Sequence, residues 1–170
     1  GIFAELYSRY VLLMQNLGKK WYKNKFILKM SICGLILGSI YSFLPSTFYN
    51  LDELQKIIAE QNTSIEIAIL AVLVLFITTG LAAASGAPGG LFYPMLTLGG
   101  SIGLIMGSWV EIATGHAPST YIFAGMGAFV AGCSRTPITA MFLVFALTKN
   151  LLIMKPVLIS CIASFLIARA

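Results

Sequence analysis

The chain has 170 residues, of which 58% are hydrophobic and only 10% charged, with a mean hydropathy of +0.90. Soluble domains carry about 25% charged residues, so this composition excludes a soluble enzyme, a disordered tail and a collagen-like repeat, and reads as a membrane protein. Eleven Lys and Arg against six Asp and Glu leave a net charge of +5. Five of those cations fall between Lys19 and Lys29 with no basic, aromatic-interleaved stripe after them, which suits a cytoplasmic juxtamembrane loop and not nucleic acid.

A bilayer core about 30 Å thick takes about 20 mostly apolar residues as a helix. Residues 1–17 place Phe3, Leu6, Tyr10, Leu13 and Leu17 at helical spacing, with Glu5 and Arg9 set to pair four apart. Residues 19–25 form the basic loop. Residues 26–44 are apolar; Lys29 near their start can snorkel to the headgroups, and Pro45 closes the segment. Residues 46–64 are polar, with Asp52, Glu53, Lys56 and Glu60, and read as an extramembrane loop holding a short helix over 51–60. By the positive-inside rule, 19–29 faces the cytoplasm and 46–64 the outside.

Residues 65–84 are the cleanest span, with Glu66 at the mouth. Ser85-Gly86-Ala87-Pro88-Gly89-Gly90 then breaks the helix, which resumes over 91–113. Residues 114–120 are a short connection holding His116, a lone histidine without the neighbours a metal site needs. Residues 121–147 are broken at Cys133-Ser134-Arg135-Thr136-Pro137, and 151–168 form the last apolar run. These make four or five membrane-inserted segments, at least two of them interrupted, in one all-α integral membrane region covering 1–170. With no initiator Met, no signal-peptide pattern and no polar tail, the chain reads as part of a larger membrane protein.

Irregular backbone at membrane depth is tolerated only where protein buries it or a cavity borders it. A helix starting near Leu91 would aim free amides and its positive dipole end at the glycines. No Asp or Glu lies between Glu66 and Glu111, so an anion suits this place better than a cation; a plain surface loop is the alternative. Arg135, the only cation between Lys56 and Lys149, either caps the preceding helix or attracts anions in a vestibule. Ser134 or Thr136 can cap the helix begun by Pro137, while Glu66 and Glu111 read as interfacial. Gly99, Gly103 and Gly107 lie four apart, as do Gly34 and Gly38 and then Ser160 and Ser164, and read as helix-packing devices. Cys33, Cys133 and Cys161 form no C-x-x-C and read as buried thiols. No nucleophile–base pair, phosphate loop or dinucleotide motif supports an enzyme, and no metal or cofactor is expected.

Gly86-Ala87-Pro88-Gly89-Gly90-Leu91-Phe92-Tyr93-Pro94 resembles the G-x-P-G-G-I-F-x-P segment of the CLC chloride channels and chloride/proton antiporters. The resemblance continues through Gly125-Met126-Gly127-Ala128-Phe129, Arg135-Thr136-Pro137-Ile138-Thr139-Ala140 and Leu143-Val144-Phe145-Ala146-Leu147-Thr148, the last similar to L-V-x-E-x-T. It implies the C-terminal half of an inverted-repeat transporter fold with interrupted, tilted helices, present here incompletely. It implies chloride as transported ligand, bound by the amides of Leu91 and Phe92, with Gly90 and Pro94 holding the turn and helix start. Chloride/proton exchange in a bacterial inner (plasma) membrane is the implied activity, with a passive voltage-gated-type channel or a non-transporting scaffold as alternatives. A homodimer through residues near 143–167 is also implied.

The chain departs from the family pattern in two places: Ala146 stands at the acidic position, and Thr47-Phe48-Tyr49-Asn50-Leu51 replaces a glycine-rich loop. The serine-bearing G-S-G-x-P loop, the gating and proton-transfer glutamates and the last-helix tyrosine have no match. One wall of a pore, conducting nothing by itself, is the expectation.

Overall fold

The computed structural model describes residues 1–21, 26–44, 48, 65–86, 90–114 and 119–169. Among the described residues, α-helices are the dominant element and no strand occurs: α1 (Ile2–Trp21), α2 (Phe26–Ser42), α3 (Ile65–Ser85), α4 (Phe92–Thr114), α5 (Ser119–Ser134), α6 (Pro137–Thr148) and α7 (Met154–Arg169). A 3-10 turn, Leu151–Ile153, leads into α7. Among the described residues, two helical stretches, Ile65–Ser85 and Leu151–Ala168, are long and apolar enough to cross a membrane. Both expected interruptions are present, at Ser85–Phe92 and at Ser134–Pro137. The expected helix over 51–60, His116, and the Lys29 and Glu111 side chains lie outside the described residues.

The first helix runs further than expected. Lys19, Lys20 and Trp21 belong to α1 and not to a loop, because lysine is a good helix former and positive charge suits the negative end of the helix dipole. Arg9 Nε donates to Glu5 Oε1 at 2.8 Å, the expected pair. Ala4, Tyr7 and Val11 form the buried face of α1, whereas Phe3, Leu6, Leu13 and Leu17 of the apolar stripe are exposed. The helix is apolar on two sides, one turned to protein and one outward.

Helix α5 is the centre of the fold, with α4, α7, α6 and α1 all packed on it. Ile122, Met126, Val130 and Ala131 on it are buried. Small residues let these backbones meet where lipid supplies no hydrophobic drive between helices. A Cβ on Gly99 would stand 2.6 Å from the Gly125 carbonyl, and one on Gly103 would strike the Tyr121 carbonyl. Ser164 Oγ donates across to the Ala128 carbonyl at 2.6 Å, and Ser160 Oγ shares its proton between Ala124 (3.1 Å) and Val157 (2.8 Å). Gly99 and Gly103 of α4 and Ser160 and Ser164 of α7 are therefore packing devices. Gly34 and Gly38 differ: a Cβ there meets nothing within 4 Å, since α2 packs chiefly on α3 through its other side.

Gly99→Leu or Gly125→Leu is expected to cost about 3 kcal/mol, because the clash is with backbone that cannot rotate away. The drop should register in the thermal midpoint of the detergent-solubilised protein. Gly34→Ala is expected to hold or raise that midpoint, alanine being about 1 kcal/mol better than glycine inside a helix.

Candidate functional site

The break between α3 and α4 is built by a few local choices. Ser85 Oγ donates to the Ala82 carbonyl at 2.7 Å, and Gly86 turns left-handed (φ 75°) with its N–H on the Ala83 carbonyl at 3.3 Å. This is a helix C-terminus closed by the residue type that meets no Cβ penalty there. On the far side, the first rung of α4 runs from Met95 N–H to the Leu91 carbonyl at 3.1 Å. The amides of Leu91, Phe92 and Tyr93 lie ahead of that rung, with no carbonyl of their own helix to serve. Pro94, buried in the first turn, lacks an N–H where none is needed.

A cavity of about 480 Å³ lies against this helix start. The structure brings three of the four residues singled out by sequence, Gly90, Leu91 and Pro94, to its wall. Phe92, 39% exposed, is not among the residues of that wall. From α3 come Thr78 and Thr79, which sequence reasoning passed over. Their hydroxyl protons are spent on the Val74 and Leu75 carbonyls, at 2.8 and 2.6 Å, so they offer the cavity no donor. Donors on side chains of the wall come from Gln15 and Lys19 of α1 and Tyr41 of α2, and none of the described wall residues is a carboxylate. The balance of the site favours negative charge.

The α1 and α3 walls are held together by aromatic packing. Tyr10 stacks on Phe76 with ring centroids 4.4 Å apart, and Tyr7 meets Phe76 edge-on at 5.8 Å. Gly80 makes room for the Tyr10 ring, which a Cβ there would penetrate. Tyr7 is fully buried. Sequence reasoning gave Tyr10 only a place on a stripe; the signal for the lock was Gly80, a glycine inside the cleanest apolar span.

Residues 1–169 match the family described as voltage gated chloride channel. The chain belongs to that family. It is 30% identical to an H(+)/Cl(-) exchange transporter ClcA of Vibrio parahaemolyticus serotype O3:K6 (strain RIMD 2210633), over 99% of this chain and 38% of that protein. It is 29% identical to the exchange transporter of the same name from Vibrio campbellii (strain ATCC BAA-1116), over 99% of this chain and 37% of that protein. Its fold matches the X-ray crystal structure of a slow cyanobacterial Cl-/H+ antiporter with a TM-score of 0.85 at 25% identity, over 99% of this chain and 40% of that one. The chain thus spans about two fifths of the length of the relatives it matches.

Other residues of this chloride channel family chain take simpler places. Arg135 is exposed in a left-handed turn (φ 59°) between α5 and α6. Thr136 occupies the N-cap position of α6 but its side chain makes no capping bond. It pairs instead with Ser134 Oγ at 2.7 Å, whose own proton goes to the Val130 carbonyl. The expected side-chain cap is therefore replaced by a hydroxyl pair across the turn. Glu66 is exposed at the first turn of α3, as an interfacial carboxylate would be. Cys161 is buried, whereas Cys33 and Cys133 are only half-buried, and all three are free thiols.

Gly80→Val and Tyr10→Ala should each destabilise the α1–α3 contact, by about 2 kcal/mol. Combined, they are expected to cost less than their sum, because removing the ring makes room for the new side chain. Thermal midpoints of the two single variants and the double variant check this.

Proposed function

We propose that this chain takes part in transmembrane chloride transport, working as chloride/proton exchange in the intact protein. The anion is held by the backbone amides of Leu91 and Phe92 at the N-terminus of α4. The observation that carries this reading is the set of amides ahead of the first rung of α4, beside a cavity walled by Gly90, Leu91 and Pro94 and free of described carboxylates. Family membership and the exchange transporters among its relatives support the same reading. Amides and a helix dipole attract an anion with partial charges, which binds it without the hold of a full charge and suits passage. Gly90 lets an ion approach the backbone closely. The proposed setting is the plasma membrane of a bacterium.

The proposed assembly is a homodimer through residues near 143–167. Leu152 is 84% exposed and Ile159 67% exposed on that stretch, an apolar surface suited to a second copy; light scattering in detergent reads the stoichiometry.

The natural polypeptide containing these residues, reconstituted in liposomes under a chloride gradient, tests the reading when chloride efflux and internal pH are recorded together. Protons driven opposite to chloride are expected. Chloride movement alone would make the protein a passive channel, and movement of neither would leave a scaffold and overturn the proposal. Leu91→Asp is expected to weaken chloride binding at least about tenfold, since like charges about 4 Å apart repel by about 4 kcal/mol at an effective dielectric of 20. Thr78→Val should leave chloride binding within about twofold, its hydroxyl being committed to the helix.

A further inference from the structure

We propose that Lys19 is an anion-steering residue, its ammonium group drawing anions into the cavity walled by Gly90, Leu91 and Pro94. This inference rests on the transport reading above and adds a specificity-determining side chain to it. The continuation of α1 to Trp21 sets Lys19 one turn beyond Gln15, so the two share a helix face, and both stand on the cavity wall. Lys20 lies about 100° further round the helix and is not a residue of that wall. Both lysines are exposed in the last turn of α1, where either one complements the helix dipole. The dipole therefore accounts for basic residues at this helix end, but not for one of them bordering the cavity.

Chemistry on the wall makes that position matter. Lys19 is the one charged side chain among the described wall residues, and the one ion pair among the described residues is Arg9 with Glu5. The threonine hydroxyls are spent on the backbone, and much of the remaining wall is Leu, Ala and Pro. A cleft with low-dielectric walls focuses the field of such a charge and raises the local concentration of the opposite ion. Because Lys19 is exposed, it keeps its own hydration and attracts anions without locking one in place. Salt weakens such a field over a Debye length of about 8 Å at physiological ionic strength.

The test compares Lys19→Gln, Lys19→Arg and Lys20→Gln in the natural polypeptide. Chloride efflux from liposomes and binding of bromide by the purified protein are each measured at low and high ionic strength. Lys19→Gln is expected to lower both, about threefold at low salt, with the difference closing at high salt; Lys19→Arg should retain the native values and Lys20→Gln should match them. Equal losses for the two Gln variants would mean general surface charge, and no loss at Lys19 would mean an interfacial anchor; either result overturns the proposal. If no variant and no native protein moves chloride, yet bromide binding still depends on Lys19 alone, steering stands and the transport reading fails. If bromide binding is also indifferent to Lys19, both fail.

Discussion

A polypeptide in apolar surroundings must find a partner for every backbone N–H and C=O, and where it leaves a helix it loses the partners that the helix supplied. Three departures in the described chain meet this demand differently. At Ser134–Pro137 the turn residues Ser134, Arg135 and Thr136 are all exposed, so water can serve them. After α6, Lys149 closes the helix with its N–H on the Phe145 carbonyl, and Asn150 Oδ1 accepts from Leu152 N–H. At Ser85–Phe92 the flanking Ser85 and Pro94 are buried, and Gly90, Leu91 and Pro94 at the start of α4 border a cavity. Of these three, it is the one where amides with no carbonyl of their own helix to serve lie near a cavity.

Holding those amides in place is the work of distant contacts. Helix α4 is a rod rising about 1.5 Å per residue, so the crossing at Gly99 and Gly103 fixes where its first turn points. That crossing is backbone on backbone, the kind of contact that cannot drift without a clash. Helix α5 extends the same economy to its other neighbours: Gly127 lies under Cys161 and Val157 of α7, and Gly132 under Ala4 of α1. The serine bonds from α7 to α5 add direction to packing that glycine alone would leave free to slide. Buried hydroxyls elsewhere, such as Thr97 on Tyr93 and Ser101 on Thr97, fold back on their own helices and stay satisfied.

Most of the helical order was legible, because proline and glycine interrupt long apolar runs where the backbone must break: Gly86 before α4 and Pro137 at the start of α6. The family motif around Gly90 and Pro94 was legible for the same reason, each residue type being tied to a backbone geometry. What periodicity hides is which side of an apolar helix faces protein. The stripe of Phe3, Leu6, Leu13 and Leu17 points outward because a bilayer accepts leucine as readily as a protein core does, so hydrophobicity no longer marks the inside. Small residues mark it instead, as Ala4 does on α1, but Gly34 and Gly38 show the marker failing where no described helix approaches. Gly80, a glycine inside an apolar span, hinted at a close approach, but that Tyr10 fills it depends on which residues of α1 and α3 come to face each other.

The placement of charge follows from the same solvent. A full charge at membrane depth costs about 2.5–3.5 kcal/mol on insertion scales, and once there it would also bind an opposite ion too firmly to release it. The described cations Arg9, Lys19, Lys20, Arg135, Lys149 and Lys155 are all exposed, and Lys19, Lys20, Arg135 and Lys149 stand at helix ends or in turns. On the proposed reading, the positive potential at the binding site is left to amides and the helix dipole, which carry only fractions of a charge and need no counterion. An anion approaching along the cavity would meet a whole charge while still hydrated and fractional charges once its water is being shed. That gradient, strong at long range and mild at contact, is what separates a route for an ion from a trap for one.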